Sequence, residues 1–218
     1  MKRTITLLFI TFAMLTNLFA SYHIIYIKPN TKVYVDNLQW LSVKNEITDF
    51  LKNNILNGDN SYSEEAKKVF QLIKYSDFTP IISSRKIYFS FSNGEIKHTD
   101  IPLELYENIN NIIETSSIII VREKYGNYKI TRNIVSEGIN AYDIILEYSR
   151  VENGNWKEIQ STHMKANINK VKMIASYSTT IYKDNSQNIE FILRISGKKY
   201  SFFENNEGKN YNLDFGDI

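Results

Sequence analysis

The feature of this sequence that most constrains its fold is a series of strand-like segments that fills the chain after residue 115. In residues 188–195, Ile189, Phe191 and Leu193 alternate with more polar neighbours, as on a strand with one buried face. The connections are short, and a parallel return would need a crossover of about a dozen residues or more. An antiparallel meander is therefore predicted. Its seven strands are expected at 117–124, 128–135, 142–151, 156–168, 171–183, 188–195 and 198–203.

The chain before this meander combines strands with helices. Residues 22–36 predict two short strands hinged at Pro29-Asn30. Apolar residues then recur at helical spacing in three segments. The predicted helices run from about Ser42 to Asn57, from about Ser63 to Tyr75, and from Pro102 to about Thr115.

The predicted fold class is therefore α+β, with N-terminal strands and two to three amphipathic helices followed by an antiparallel meander of about seven strands. A meander of that length is expected to curl strongly or to close into a barrel. No linker-like segment interrupts the chain, so residues 21–218 are predicted to form a single α+β domain, with an alternative boundary near residue 115. The polar tail from residue 205 is expected to pack loosely or to fray.

Residues 1–20 have the layout of a secretory signal peptide. Lys2 and Arg3 precede an uncharged, mostly apolar run that ends at Ala20, so cleavage is predicted after Ala20. The alternative is an uncleaved anchor, but the run is short for a membrane span, which needs about 20 residues. The chain has no cysteine and no Asn-x-Ser/Thr sequon. These features together favour the periplasm or the exterior of a bacterium.

The predicted mature chain has no net charge. Removal of Lys2 and Arg3 leaves 26 − 2 = 24 basic residues against 24 acidic ones. A neutral chain with interspersed charges has no electrostatic attraction to nucleic acid. The sequence therefore predicts a protein that binds no nucleic acid and that does not span a membrane after cleavage.

Two Asn-Gly pairs predict two-residue hairpin turns, which place two of the three histidines. With Asn93-Gly94 as a type I′ turn, His98 falls on the apolar face of its hairpin. The same count around Asn153-Gly154 sets His163 across from Ile144, unless a bulge shifts the register. A buried histidine with one hydrogen-bond partner is a more common outcome than a functional one for both.

The titratable candidates for a site are His98, His163 and Asp100. Asp100 lies two residues after His98 on the same strand face and could orient its imidazole as a triad partner does. No Gly-x-Ser-x-Gly elbow, histidine pair with metal-ligand spacing or glycine-rich phosphate loop accompanies them. The sequence therefore nominates no catalytic residue, no metal and no cofactor, and it favours a protein that is not an enzyme without deciding the question.

Aromatic residues are the one compositional excess, with 15 tyrosines and 12 phenylalanines. Trp156 follows a predicted turn and Tyr125 precedes one, which makes both candidates for contact with a partner. Trp156 could equally cover the end of its hairpin. Most of the other tyrosines fall in predicted strands, where β-rich proteins commonly use them.

Three functions are compatible with these observations. The leading hypothesis is an exported, non-enzymatic binding protein, such as an inhibitor, an immunity-type protein or an envelope adaptor, that engages another protein through its β half. The alternative is a periplasmic carrier of a hydrophobic ligand, whose pocket residues 118–121 and 144–146 would line. A hydrolase that uses His98 or His163 is the least favoured.

Overall fold

A computed structural model describes residues 22–27, 30–57, 60–115, 117–135, 142–182, 188–198 and 201–215, so the predicted signal peptide lies outside the described residues. These residues contain three helices, α1 (Asn37–Asn57), α2 (Asn60–Tyr75) and α3 (Leu103–Thr115). They also contain fifteen strands: β1 (His23–Ile27), β2 (Thr31–Val35), β3 (Phe78–Ile82), β4 (Lys86–Phe91), β5 (Ile96–Asp100), β6 (Ile118–Arg122), β7 (Asn127–Val135), β8 (Asp143–Glu152), β9 (Asn155–Trp156), β10 (Gln160–His163), β11 (Lys165–Asn169), β12 (Ile174–Tyr182), β13 (Ile189–Ser196), β14 (Ser201–Glu204) and β15 (Tyr211–Asn212).

The strands form two sheets rather than one meander. A long sheet of nine strands has the order β11-β12-β7-β6-β2-β1-β3-β4-β5, and a second sheet has the order β10-β8-β13-β14, with β15 on β13 and β9 on β8. Among the described pairs, β1 with β3 is parallel and the others are antiparallel. The α+β class and the three helices are confirmed. The expectation of a strongly curled or barrel-like meander is wrong, because neither sheet is closed or strongly curled.

The chain passes from the second sheet to the long sheet at Met164. The strand predicted at 156–168 is three strands, and β10 pairs with β8 in the second sheet while β11 pairs with β12 in the long sheet. Met164, between them, is buried, and its backbone amide donates to the carbonyl oxygen of Ile144 at 2.8 Å. The chain turns a corner at this residue, as strands that change sheets in a sandwich do.

The N-terminal strands lie in the middle of the long sheet, where they join its two halves. Side chains of β2 alternate between the two faces: Val33 and Val35 pack beneath the helices, whereas Tyr34 packs toward the second sheet. This gives two cores, a helix-side core under α1 to α3 and a sandwich core between the two sheets. The sequence predicts these strands but not their central position.

Helix α1 begins earlier than the apolar spacing predicts, at Asn37 rather than near Ser42. A capping box explains the earlier start. The Asp36 carboxylate accepts a hydrogen bond from the Gln39 amide at 2.8 Å, and the Gln39 side-chain oxygen accepts one from the Asp36 amide at 3.3 Å.

The C-terminal segment is packed rather than loose, contrary to expectation. Tyr211, Leu213 and Phe215 are buried in the sandwich core. Beside them, the ammonium group of Lys32, which is only 2% exposed, donates to the backbone carbonyl oxygens of Asn212 and Asp214. Polar backbone groups of the tail therefore find their partner on β2, and this long-range pairing holds the segment in place.

Candidate protein-binding surface

Among the large hydrophobic residues that the structure describes, Tyr125 is the most exposed, at 98% of its full accessible area. It lies in the turn between β6 and β7, and its φ of +64° puts it in the left-handed region, as does the φ of +79° at Gly126. Glycine adopts this conformation freely, but a bulky residue there is strained by roughly 1–3 kcal/mol. Strain together with full exposure is unusual for a tyrosine, because folding gains nothing from the ring.

The base of the Tyr125 turn is held by several hydrogen bonds. The Glu123 amide donates to the carbonyl oxygen of Asn127 at 2.9 Å. The backbone carbonyl oxygen of Asn30, in the neighbouring turn, accepts a hydrogen bond from the Arg122 amide at 2.8 Å. The Asn30 side-chain NH₂ donates to the Arg122 carbonyl oxygen at 2.9 Å. The exposed ring therefore stands on a fixed scaffold, as residues of binding loops commonly do.

A second exposed tyrosine lies beside this turn. Tyr182, at the end of β12, is 78% exposed and pairs with Asn127, two residues after Tyr125. The two tyrosines come from segments far apart in sequence and reach the same end of the long sheet only because β12 pairs with β7 along its whole length. Exposed tyrosines of this kind are common anchors in protein interfaces.

A cleft of about 350 Å³ lies next to Tyr182. Its walls come from β12 of the long sheet and from β8, β10, β13 and the segment after β9 of the second sheet. The Tyr148 hydroxyl on one wall is 2.6 Å from the Gln160 side-chain oxygen, to which it donates. The lining residues are Tyr148, Ser149, Arg150, Lys157, Glu158, Gln160, Thr180, Ile181, Tyr182 and Ile189. We call Tyr125, Tyr182 and this cleft the Tyr125 surface.

Trp156 covers its hairpin end and is half-buried. It pairs with Val151, and its indole N–H donates to the Glu190 carboxylate at 2.9 Å. The same carboxylate oxygen accepts from the Asn210 side chain at 2.8 Å. Trp156 is thus tied to the second sheet, and of the two contact candidates Tyr125 has the greater free surface.

His98 and Asp100 lie on an exposed face, because the Asn93-Gly94 turn differs from the predicted one. The Gly94 amide donates to the Phe91 carbonyl oxygen at 3.0 Å, and only Gly94 of the two turn residues has a positive φ. The loop therefore has three residues instead of two. One extra residue shifts the register and reverses the faces, so His98 pairs with Tyr88 and is exposed.

Asp100 does not hydrogen-bond to His98 among the described contacts. Its carboxylate lies 3.8 Å from the ammonium group of Lys86, on the neighbouring strand. The arrangement is an ordinary surface pair and gives no orientation to the imidazole.

His163 is also exposed, for a related reason. The Asn153-Gly154 turn has the predicted two residues, and both have positive φ. Farther along the hairpin, however, two residues, Glu158 and Ile159, lie opposite the single residue Ser149. This two-against-one pairing is a β-bulge.

The bulge moves His163 from the predicted position opposite Ile144 to one opposite Ile145. Its Nδ1 atom lies 3.0 Å from the Asp143 carboxylate, and the two side chains are 73% and 58% exposed. The structure therefore brings His163 and Asp143 together on the surface. It leaves His163 apart from His98 and Asp100, which share the exposed face of β5.

The apolar runs considered as the lining of a ligand pocket are part of the sandwich core. Ile118, Ile120, Ile144 and Leu146 have no exposed surface and belong to one packed cluster. Side chains at these positions fill the space between the two sheets.

A buried ion pair that the sequence analysis missed lies at the margin of the sandwich core. Arg132 on β7 and Glu204 on β14 are each 11% exposed. The Arg132 Nε and Nη2 atoms donate to the two Glu204 oxygens at 2.9 and 2.8 Å, and the Tyr22 hydroxyl donates to the same carboxylate. No local sequence pattern predicts this ion pair, because its two residues are 72 positions apart in the sequence.

This environment shifts the pKa values of the groups around it. Burial raises the pKa of Tyr22, and the negative charge of Glu204 raises it further. Burial also raises the pKa of Tyr34 and, with Glu204, that of Tyr211. For Arg132, burial works toward a lower pKa, but the interactions with Glu204, Tyr22 and Tyr211 together outweigh it and the pKa is raised. The hydroxyls therefore stay neutral and the guanidinium stays charged.

No protein-family model and no curated protein sequence matches this chain. In the described part of the chain, no three His, Asp or Glu side chains are grouped closely enough to hold a metal ion. None of the described helices is both long enough and apolar enough to cross a membrane.

Proposed function

We propose that this chain is an exported, non-enzymatic binding protein that engages another protein through the Tyr125 surface of its β half. The single observation that carries the proposal is Tyr125 itself, which is 98% exposed in a left-handed backbone conformation. A conformational cost without any gain in burial indicates a residue kept for contact with something outside the chain. Export to the periplasm or exterior of a bacterium rests on the sequence of residues 1–20.

The chemistry of the surface suits a protein partner. Tyrosine offers a large apolar ring and a hydroxyl at low cost in side-chain entropy, and it is enriched among residues that dominate binding energy. Tyr182 pairs with Asn127, two residues after Tyr125, so both tyrosines lie at the same end of the long sheet and can contact one partner. Arg150 on the wall of the cleft adds a second residue type that is common at such positions.

The experiment that tests this proposal is site-specific photo-crosslinking in the cells that produce the protein. A benzophenone-bearing phenylalanine analogue is placed at Tyr125, at Tyr182, or at Tyr75. Tyr75 is the matched control, because it is a tyrosine that is 73% exposed but lies at the end of α2, away from the β half.

The proposal predicts adducts of one discrete additional mass, containing the same protein, from positions 125 and 182 and none from position 75. Equal adduct patterns from all three positions would show nonspecific contact and would contradict the proposal. Absence of adducts from positions 125 and 182 would also contradict it.

A further inference from the structure

The outer edge of β12 is only partly occupied by its neighbour. Strand β12 pairs with β7 over nine residues, from Ile174 to Tyr182. On its other side, β11 pairs only from Ile174 to Ser178. Within the described chain, no strand pairs with residues 179–182 on that side, because β11 begins at Lys165 and the chain before it turns away into the second sheet.

The direction of the backbone groups at this open edge follows from the registers. The Asn133 amide donates to Ser117 and the Glu123 amide to Asn127, so the odd-numbered residues of β7 face β6. Since neighbouring residues of an antiparallel strand point to opposite sides, the even-numbered residues of β7 face β12.

These even-numbered residues pair with odd-numbered residues of β12, for example Ile130 with Thr179 and Tyr128 with Ile181. The even-numbered residues of β12 therefore direct their N–H and C=O groups away from β7. At the open edge these are Thr180 and Tyr182, both of which have exposed side chains.

The open edge forms one wall of the cleft in the Tyr125 surface. Thr180, Ile181 and Tyr182 line it from the long sheet, and Tyr148 and Ile189 lie among the residues of the opposite wall. Its volume of about 350 Å³ is within the range of cavities that hold small ligands or a few residues of a peptide. The edge is therefore recessed beside a space that can take side chains.

We propose that the open edge of β12 receives an extended segment of the partner protein, which adds to the long sheet as a short strand in line with β11. The inference rests on the proposed function and names how the partner is held. A strand edge offers backbone donors and acceptors at strand spacing, and an extended polypeptide is the ligand that matches them. The added strand pairs with residues 179–182, places alternate side chains in the cleft, and passes next to Tyr182.

Hydrogen exchange of the purified chain tests the first element of this proposal. In the free protein, the amides of Thr180 and Tyr182 exchange fast, whereas those of Thr179 and Ile181 are protected by β7. Equal protection of all four amides would show that the edge is already occupied and would overturn the proposal.

Selection of short random peptides displayed on phage, with the purified chain as the target, tests the second element. The selected peptide is expected to slow exchange at Thr180 and Tyr182 by about tenfold or more. Failure to select any peptide, or selection only of peptides that leave these two amides unprotected, would overturn the proposal.

Three variants separate backbone pairing from other contacts. Thr180→Pro removes an outward amide while leaving the β7 ladder intact, and proline is tolerated at such an edge. We expect it to weaken the selected peptide by at least about tenfold. Thr180→Val also alters the side chain at this position but keeps the outward amide, so Thr180→Pro should bind the peptide at least about tenfold more weakly than Thr180→Val does. Ala166→Pro removes an outward amide from the other side of β11 and should also bind normally.

Equal affinity of Thr180→Pro and the natural chain would overturn strand addition. That result would leave the proposed function standing if the adducts from Tyr125 and Tyr182 persist. Loss of those adducts contradicts the proposed function itself, whatever the peptide does.

Discussion

Different elements cover the two halves of the long sheet: helices α1 to α3 cover one, and the second sheet covers the other. The side chains buried on the two sides also differ in their chemistry. The buried residues of the helix-side core are all Ile, Val, Leu or Phe. The sandwich core contains four tyrosines among its buried residues, and Lys32 and the Arg132–Glu204 pair lie against it. The helix side thus depends mainly on apolar packing, with the neutral Gln39 side chain buried there and donating to the Ile112 carbonyl oxygen at 3.0 Å. The sandwich side depends in addition on charged groups that must meet in one arrangement.

The polar groups of the sandwich side join segments that are remote in sequence. Tyr22 and Glu204 connect the first described strand region to β14, and Lys32 holds the tail at Asn212 and Asp214. The Tyr125 surface lies on this half. The half that carries the proposed binding site is therefore also the one in which directional bonds fix the first and the last described segments.

The largest expected effect comes from breaking the buried ion pair. Arg132→Met leaves the Glu204 carboxylate buried without its cation, so we expect the free energy of unfolding to fall by about 3–5 kcal/mol. Urea denaturation measures it. The double variant Arg132→Met/Glu204→Leu removes both charges and should recover most of the loss.

Arg150→Ala is the control for this prediction, because its pair with Glu152 is about half-exposed. Its effect should stay within about 1 kcal/mol. If Arg132→Met lowered the free energy of unfolding as little as Arg150→Ala does, the two halves of the sheet would not differ in the way described.

The next largest effect concerns the tail. Lys32→Met removes the donor that serves the carbonyl oxygens of Asn212 and Asp214, so we expect a loss of about 1–3 kcal/mol. Hydrogen exchange should become faster in residues 211–215 and remain slow in the helix-side strands. Lys172→Met, at an exposed pair with Glu114, should change stability by no more than about 1 kcal/mol.

A smaller effect appears at alkaline pH. Because burial and Glu204 raise the pKa of Tyr211 in the folded protein, its contribution to stability is complete below the unfolded pKa of about 10 and is lost as the pH rises further. For one such tyrosine, the free energy of unfolding falls by up to about 1.4 kcal/mol for each pH unit above that value.

Tyr211→Phe should therefore reduce the alkaline loss of stability. Its effect at neutral pH should be small, because the Tyr211 hydroxyl makes no well-formed hydrogen bond with the described residues. Urea denaturation from about pH 7 to about pH 11 checks both statements. An unchanged alkaline slope would contradict the role assigned to this hydroxyl.

The smallest effect is a gain. Tyr125→Gly relieves the left-handed strain at position 125, so we expect the free energy of unfolding to rise by about 1 kcal/mol. The same denaturation measurement applies. Gly126→Ala introduces strain at a φ of +79° and should change stability by a similar amount in the opposite direction.

Local sequence signals predict the elements of this protein better than their arrangement. The three helices follow from apolar spacing, although α1 begins earlier because Asp36 and Gln39 form a capping box. The two Asn-Gly pairs show that the same dipeptide does not always form the same turn. Asn153-Gly154 forms the predicted turn with two positive φ values, whereas Asn93-Gly94 has only one.

A difference of one residue in a turn or a bulge reverses every side chain that follows it. For this reason His98 and His163 lie on exposed faces, although the turn dipeptides near them predict the two hairpins. The pairing of β12 with β7 and of Arg132 with Glu204 depends on contacts that no local pattern encodes. Tyr125 could be nominated from its place beside a turn glycine, but Tyr182 could not be placed next to it.

Native mass spectrometry of the chain, purified gently from the envelope fraction or medium of its own cells, tests the central claim most directly. The natural chain, Tyr125→Gly and Tyr75→Ala are compared. The account predicts an added mass of protein size on the natural chain and on Tyr75→Ala, and its absence from Tyr125→Gly. A complex of equal abundance in all three, or a bare chain in all three, would contradict it.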